Sequence, residues 1–219
     1  MLSAAVYCTK STWSRYTYMK LLISLFALAS FSLGAQTFDD VEDGMPVRGD
    51  SFDIGYAIVH AEWQTTQFVT YYNGYIKIDY PNGDIPKHLG SCSDVLVRAL
   101  RFAGADLQVL IHEDVKANLS YYYPHSKNPK ADPNIDHRRV HILRKFLDKN
   151  YPESKLSPAS GYLPGDIIIW GNWHCGILID EKIPGTREFY GVHNIGRGPI
   201  KVNFDCIANQ LDHYRFRLN

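Results

Sequence analysis

Gly90-Ser91-Cys92-Ser93-Asp94-Val95 is the seam on which the fold of this chain turns. Upstream lies a turn-rich segment containing Pro81-Asn82-Gly83-Asp84. Downstream, Val95, Leu96, Ala99, Leu100, Phe102 and Ala103 recur at helical spacing, and Gly104 ends the run. The pattern predicts an amphipathic helix with Cys92 at or just before its first turn. Unpaired backbone N–H groups converge at such a place and the helix dipole is positive. That setting favours thiolate over thiol and lowers a cysteine pKa to roughly 3.5–7.5. A thiolate is the form that attacks carbonyl carbon. The plain alternative is a small apolar residue packed at a helix start, and this stretch alone does not choose between the two.

Outward from the seam, the first half of the chain reads as helices and short extended pieces. Residues 36–59 form a lead-in, acidic and punctuated by Gly and Pro over residues 36–50. A weak helical pattern runs over 52–65, and the domain proper spans 60–219. Val69-Thr70-Tyr71-Tyr72 reads as extended, Asn73-Gly74 as a turn, and Tyr75-Ile76-Lys77-Ile78-Asp79-Tyr80 as an alternating strand. Beyond the cysteine helix, a second helix begins near Asp106 and fades by Asn118. Residues 119–136 make a long loop with Tyr121, Tyr122 and Tyr123 in succession. It either walls a substrate groove or is a surface excursion pinned by its tyrosines. Asp136 is placed to cap a helix over residues 137–149. The last third reads as β, with strands over 166–170, 174–180, 188–193 and 214–218. Helices first and an antiparallel sheet after them make an α+β class.

The chain has 219 residues, 45% hydrophobic and 21% charged, which suits one domain with a proper core. Lys20, an apolar run over residues 21–33 and Gly34-Ala35-Gln36 have the order of a secretory signal peptide. The run is short for a membrane span. Met19-Lys20-Leu21 is the expected start, residues 1–35 the expected leader, and a periplasmic or secreted location the expected destination. Lys10, Arg15 and Lys20 are the charged residues of the first 35, so the remainder carries a formal charge of −3. No basic patch argues for nucleic acid. Without its leader the chain keeps Cys92, Cys175 and Cys206, an odd number. A Cys175–Cys206 pair would leave Cys92 free; the other option is that all three are reduced.

His174 opens one expected strand and His193 closes the next. A hairpin symmetric about Ile183-Pro184 puts the two directly opposite each other on one face, while a one-residue shift brings in Asn194 instead. A thiol at a helix start, an imidazole to take its proton and a polar group to orient the imidazole make a nucleophilic constellation. Satisfied sheet histidines are the alternative.

The order of these elements resembles the NlpC-type cell-wall peptidases and amidases: a helix-start Cys, Pro164-Gly165-Asp166-Ile167 before an apolar strand, a His opening the next strand, and a polar residue one strand on. These are a bacterial branch of the papain-like cysteine hydrolases. Where those peptidases carry Asp-Cys-Ser, this chain has Ser91-Cys92-Ser93. A closer resemblance, over about residues 60–218, is to the bacterial domain-of-unknown-function family 1287. It rests on five stretches: residues 78–84, the Cys92-Ser93-Asp94-Val95 run, His112-Glu113-Asp114, residues 133–139 and His193-Asn194-Ile195-Gly196. The resemblance implies a papain-like fold of NlpC type, with N-terminal helices packed on a C-terminal antiparallel sheet. It implies Cys92 as nucleophile, His174 as general base, His193 as the orienting group with Asn194 as competitor, and an oxyanion held by the Cys92 N–H and one further donor. Asp94 then caps the helix or adds a hydrogen bond to His174. Arg138 or Arg139 either binds a carboxylate of a peptide stem or locks a loop.

The expected function is therefore an exported thiol hydrolase acting on an amide, with cell-wall peptide as its partner and no cofactor or metal. A non-catalytic wall-binding module on the same scaffold is the competing class. His112, Glu113, Asp114, Asp136 and His137 are metal-ligand residue types, but no H-E-x-x-H spacing joins them.

Overall fold

The computed structural model describes residues 51–204 and 211–218. The expected leader, the start at Met19, residues 36–50 of the lead-in and Cys206 lie outside the described residues. Within them the chain is α+β. Helix α1 (Ile54–Gln64) is capped by Asp53, whose carboxylate accepts from the Gly55 N–H. It crosses the 59/60 boundary expected for the domain and packs Ala57 and Ala61, both fully buried, into the core. Strands β1 (Thr70–Tyr71) and β2 (Leu89–Gly90) then pair in parallel, with Tyr71 opposite Gly90.

Helix α2 (Cys92–Phe102) is the expected cysteine helix, starting at the expected residue. Its apolar face, Val95, Leu96, Ala99 and Leu100, is essentially removed from water against α1 and the sheet. Helix α3 (Leu107–Ala117) follows, capped by Asp106, and the short α4 (Leu119–Tyr122) sits inside the long loop. Helix α5 (Val140–Asn150) starts three residues later than expected. Asp136 does not cap it. The Asp136 carboxylate is taken by the Tyr123 hydroxyl and the Asp132 N–H, and residues 136–138 tighten into a single 3₁₀ turn.

The sheet has six strands in the order β3-β8-β4-β5-β6-β7: β3 (Lys155–Leu156), β4 (Ile167–Trp170), β5 (His174–Lys182), β6 (Phe189–Asn194), β7 (Pro199–Val202) and β8 (Leu211–Tyr214). Every neighbouring pair is antiparallel. Alternation divides the sheet cleanly. Ile167, Ile169, Cys175, Ile177, Ile179 and Val192 face the helices in the main core. Ile168, Trp170, Leu178 and Phe204 form a second, smaller cluster on the other face. Gly176 and Gly191 are required there. A Cβ at Gly191 would fall 1.9 Å from the Phe204 ring, and one at Gly176 would meet the same ring at 2.7 Å.

Three expectations about strands need correction. Residues 75–80 form no strand: side chains take up their backbone groups, with Asn134 Oδ1 accepting from the Ile78 N–H and Gln108 Nε2 donating to the Asp79 carbonyl. The final strand lies at Leu211–Tyr214 and not at 214–218; Phe216 beyond it is buried in the core and Arg215 is drawn to Asp166. Strand β7 at Pro199–Val202 is absent from the expected strands.

Candidate active site

The start of α2 is fixed from two sides. Asp94 Oδ2 accepts from the Ser91 N–H at 2.6 Å and from the Ser91 hydroxyl at 2.9 Å, which closes a capping box around Cys92. Both Asp94 oxygens also receive Arg138, from Nε at 2.7 Å and from Nη2 at 3.0 Å, in a pair almost wholly removed from water. Burial pushes the Asp94 carboxyl up, but the Arg138 guanidinium outweighs it and holds the group below the usual carboxylate range. Arg138 donates further to the carbonyls of Gly74 and Tyr72, and the Ser93 hydroxyl donates to the Arg138 carbonyl. Asp94 and Arg138 are thus spent on locking the 70–75 segment and the helix start together. Arg139 is exposed and stands one residue before α5.

Asn194 fixes the same place from the sheet. Its Nδ2 donates to the Gly90 carbonyl at 2.9 Å, and its Oδ1 accepts from the Gly196 N–H at 3.0 Å. Both halves of this wholly buried amide go to backbone, so Asn194 braces the cysteine helix against β6 and does not serve the imidazole.

The imidazole is served by His193. His174 Nε2 and His193 Nδ1 are 2.7 Å apart, with ring centroids 4.9 Å apart at 70°. The pairing that creates this contact differs from the expected one. Ile177 pairs with Val192 and Leu178 with Gly191, so β5 and β6 are offset by two residues from the register in which His174 faces His193 directly. The turn actually spans residues 183–188, where the Ile183 N–H bonds to the Glu188 carbonyl; beside it Lys182 pairs with Phe189, an offset of four, and the irregularity between Leu178 and Lys182 brings it back to two. An offset of two keeps every side chain on its face. The histidines still meet, diagonally.

Cys92, 4% exposed, is the first residue of α2, and its N–H has no acceptor within the helix. Its thiol is shifted from the ordinary range down to about 5. Hydrogen bonding from the Cys175 thiol is the largest cause; burial opposes it, and the hydrogen bond and charge of His174 add to it. Because His174 Nε2 is engaged with His193, Nδ1 is the ring nitrogen left for the sulfur. Burial, and then the His174 charge, push His193 down to about 3, so it stays neutral. With its proton on Nε2, neutral His193 presents a lone pair on Nδ1 to the His174 Nε2–H. The His193 Nε2 is buried with no hydrogen-bond partner among the described residues. Trp170 packs on His174 from within the smaller core, and Trp173, 67% exposed, stacks its ring 5.4 Å from the His174 ring.

Two residues of this site escaped the sequence reading. Cys175 entered only as one half of a possible pair with Cys206, which lies outside the described residues; here it is a free thiol that acts on Cys92. Tyr71 looked like part of an extended segment. Its phenol is pushed up by burial and then by the charges of Cys92 and Asp94.

The other candidate residues are tied elsewhere. The Pro164-Gly165-Asp166-Ile167 motif is structural here: Asp166 accepts from His213 at 2.6 Å, from Arg215 and from the Leu163 N–H. Tyr122 and Tyr123 are pinned through Asp114 and Asp136, and their rings wall a cavity of about 470 Å³ that reaches Asn172, two residues before His174. Asp114 is also paired with Lys149, and Glu113 accepts from the Tyr80 hydroxyl. Among the described residues no group of three or more His, Cys, Asp or Glu is arranged to hold a metal ion, and no helix is long and apolar enough to cross a membrane.

A family profile described as a domain of unknown function, DUF1287, matches residues 58–216. The chain is similar to uncharacterized protein YijF of Escherichia coli (strain K12), at 37% identity over 163 residues that cover 71% of this chain and 78% of that protein. No solved structure matches.

Proposed function

The chain belongs to the DUF1287 family, and on that premise we propose that it is an exported cysteine hydrolase that cleaves an amide bond in cell-wall peptide, on a papain-like scaffold of NlpC type. One observation carries the reading: Cys92, His174 and His193 form a continuous relay at a helix N-terminus. In the proposed reaction the Cys92 thiolate attacks the amide carbonyl. The oxyanion collects on the Cys92 N–H, with the Tyr71 hydroxyl as the second donor; its raised pKa keeps that proton in place. The His174 imidazolium, steadied by neutral His193, gives its proton to the leaving amine. Water activated by His174 then releases the acyl group. Export and the wall as target rest on the signal-like run over residues 20–36 and on the likeness to NlpC-type enzymes. The test is muropeptide digestion by the purified protein, followed by mass spectrometry of the products. Cleavage is expected to vanish in Cys92→Ala; cleavage that persists in that variant sinks the reading.

Exposed Trp173 beside the site favours one other reading, a wall-peptide binding module. It predicts peptide binding that survives Cys92→Ala with no product formed by either form.

A further inference from the structure

The hydrolytic relay uses one sulfur and leaves a second beside it without a task. Cys175 is the second residue of β5, fully buried on the helix side of the sheet, in the same core as Cys92. Both thiols are free and buried in one core cluster, and each shifts the other's ionisation.

From this juxtaposition we infer that Cys92 and Cys175 form an oxidation site for a peroxide, in which Cys92 is oxidised and Cys175 resolves it to a reversible disulfide. The inference rests on Cys92 being the reactive thiolate of the proposed hydrolase. In the first step the Cys92 sulfur attacks one peroxide oxygen. An S–O bond forms, the O–O bond breaks and, for hydrogen peroxide, hydroxide leaves and takes a proton from the His174 side or from water. Sulfur is oxidised by two electrons and the peroxide is reduced. In the second step the Cys175 sulfur attacks the Cys92 sulfenic sulfur. The S–S bond forms, the S–O bond breaks, and the departing oxygen leaves as water with the Cys175 proton.

The neighbours order these steps. Before oxidation, burial and then the hydrogen bond and negative charge of the Cys92 sulfur push the Cys175 thiol well up, so Cys175 stays protonated and Cys92 reacts first. Conversion of Cys92 to the neutral sulfenic acid removes that charge and frees Cys175 to ionise. The disulfide occupies the nucleophile, so hydrolysis stops until a dithiol reductant restores it.

The test needs no hydrolase substrate. The reduced protein is treated with hydrogen peroxide at near-stoichiometric amounts, remaining thiols are alkylated, and the peptides are mapped. A Cys92–Cys175 disulfide reversed by dithiothreitol is the expected product. In Cys175→Val no disulfide joins position 175 to Cys92, and the dimedone adduct of a Cys92 sulfenic acid rises at least tenfold over the unsubstituted protein. Sulfinic Cys92 beside an intact Cys175 thiol in the unsubstituted protein overturns the inference, as does a disulfide from either cysteine to Cys206. A mapped disulfide without muropeptide cleavage would leave the oxidation site standing and remove the wall-hydrolase reading. Cleavage with a peroxide-inert Cys92 would do the reverse.

Discussion

Replacing His174 by Ala should move the ionisation of Cys92, and the structure says how far and by which readout. Cys92 is held near a pKa of about 5 by Cys175 and His174 acting against burial. Without His174, the largest lowering cause, the Cys175 hydrogen bond, remains and still outweighs burial, so the midpoint should rise but stay below the ordinary thiol value of about 8.5. At about pH 6.5 nearly all of a thiol with pKa 5 is thiolate, against about one molecule in a hundred for an ordinary one. Alkylation rates will not show that hundredfold difference. Nucleophilicity falls with thiol pKa, with a Brønsted slope of about 0.4–0.5, which over about 3.5 units gives back roughly 25- to 55-fold. The net rate advantage at about pH 6.5 is then only about two- to fourfold. The discriminating quantity is the midpoint of the pH profile, read by iodoacetamide labelling of each cysteine peptide and, independently of access, by ultraviolet thiolate absorbance. Cys175 is an internal control, since its raised pKa and full burial keep it silent until the protein unfolds. A Cys92 midpoint at or above about 8 in the unsubstituted protein, or one that ignores His174→Ala, would refute the thiolate–imidazole site.

Two predictions concern the frame around that site. Asp94→Asn leaves the Arg138 guanidinium buried with half its partner gone, and should cost about 3–5 kcal/mol in urea unfolding, whereas a paired apolar replacement of both residues should cost less; a loss below about 1 kcal/mol would mean the pair is not holding the helix start. Acid should destabilise the fold well before the carboxylates titrate. His60 and His137 are lowered to about 4, and His193 to about 3, each chiefly by burial. Depressed folded values mean that their contribution is complete above the unfolded value of about 6.5 and is lost as pH falls toward the folded ones. The melting temperature should therefore drop between about pH 6.5 and pH 4, with a shallower slope in His137→Phe, and a flat profile over that window would show that these rings are not buried neutral.

Much of the frame was legible from sequence because it depends on local pattern. The α2 helix follows from the spacing of Val95, Leu96, Ala99 and Leu100, and its start from Ser91 and Asp94 three residues apart. The β4 and β5 strands follow from apolar runs bounded by Pro164-Gly165 and Gly171. The failures are places where side chains outcompete a strand or a cap. Residues 75–80 have an alternating pattern, but no neighbouring strand offers them a ladder, and Asn134 and Gln108 supply the bonds instead. Asp136 has the sequence of a cap, but Tyr123, thirteen residues away, claims its carboxylate.

The site was legible for a different reason. The turn between β5 and β6 was misplaced and the register with it, yet the net offset near the histidines is two residues, and a sheet repeats its faces every two. His174 and His193 were bound to share a face whichever even register the hairpin adopted, and only a one-residue slip would have handed the position to Asn194. Parity also explains why Cys175 was missed. Standing next to His174, it points to the opposite face, among isoleucines, where a sulfur reads as core. That it also reaches Cys92 depends on α2 starting beside the first residues of β5, where a residue from each face of the strand can bear on one sulfur. Such a meeting of helix start and strand end is a tertiary fact with no period in the sequence. It gives Cys92 both its base and its thiol partner.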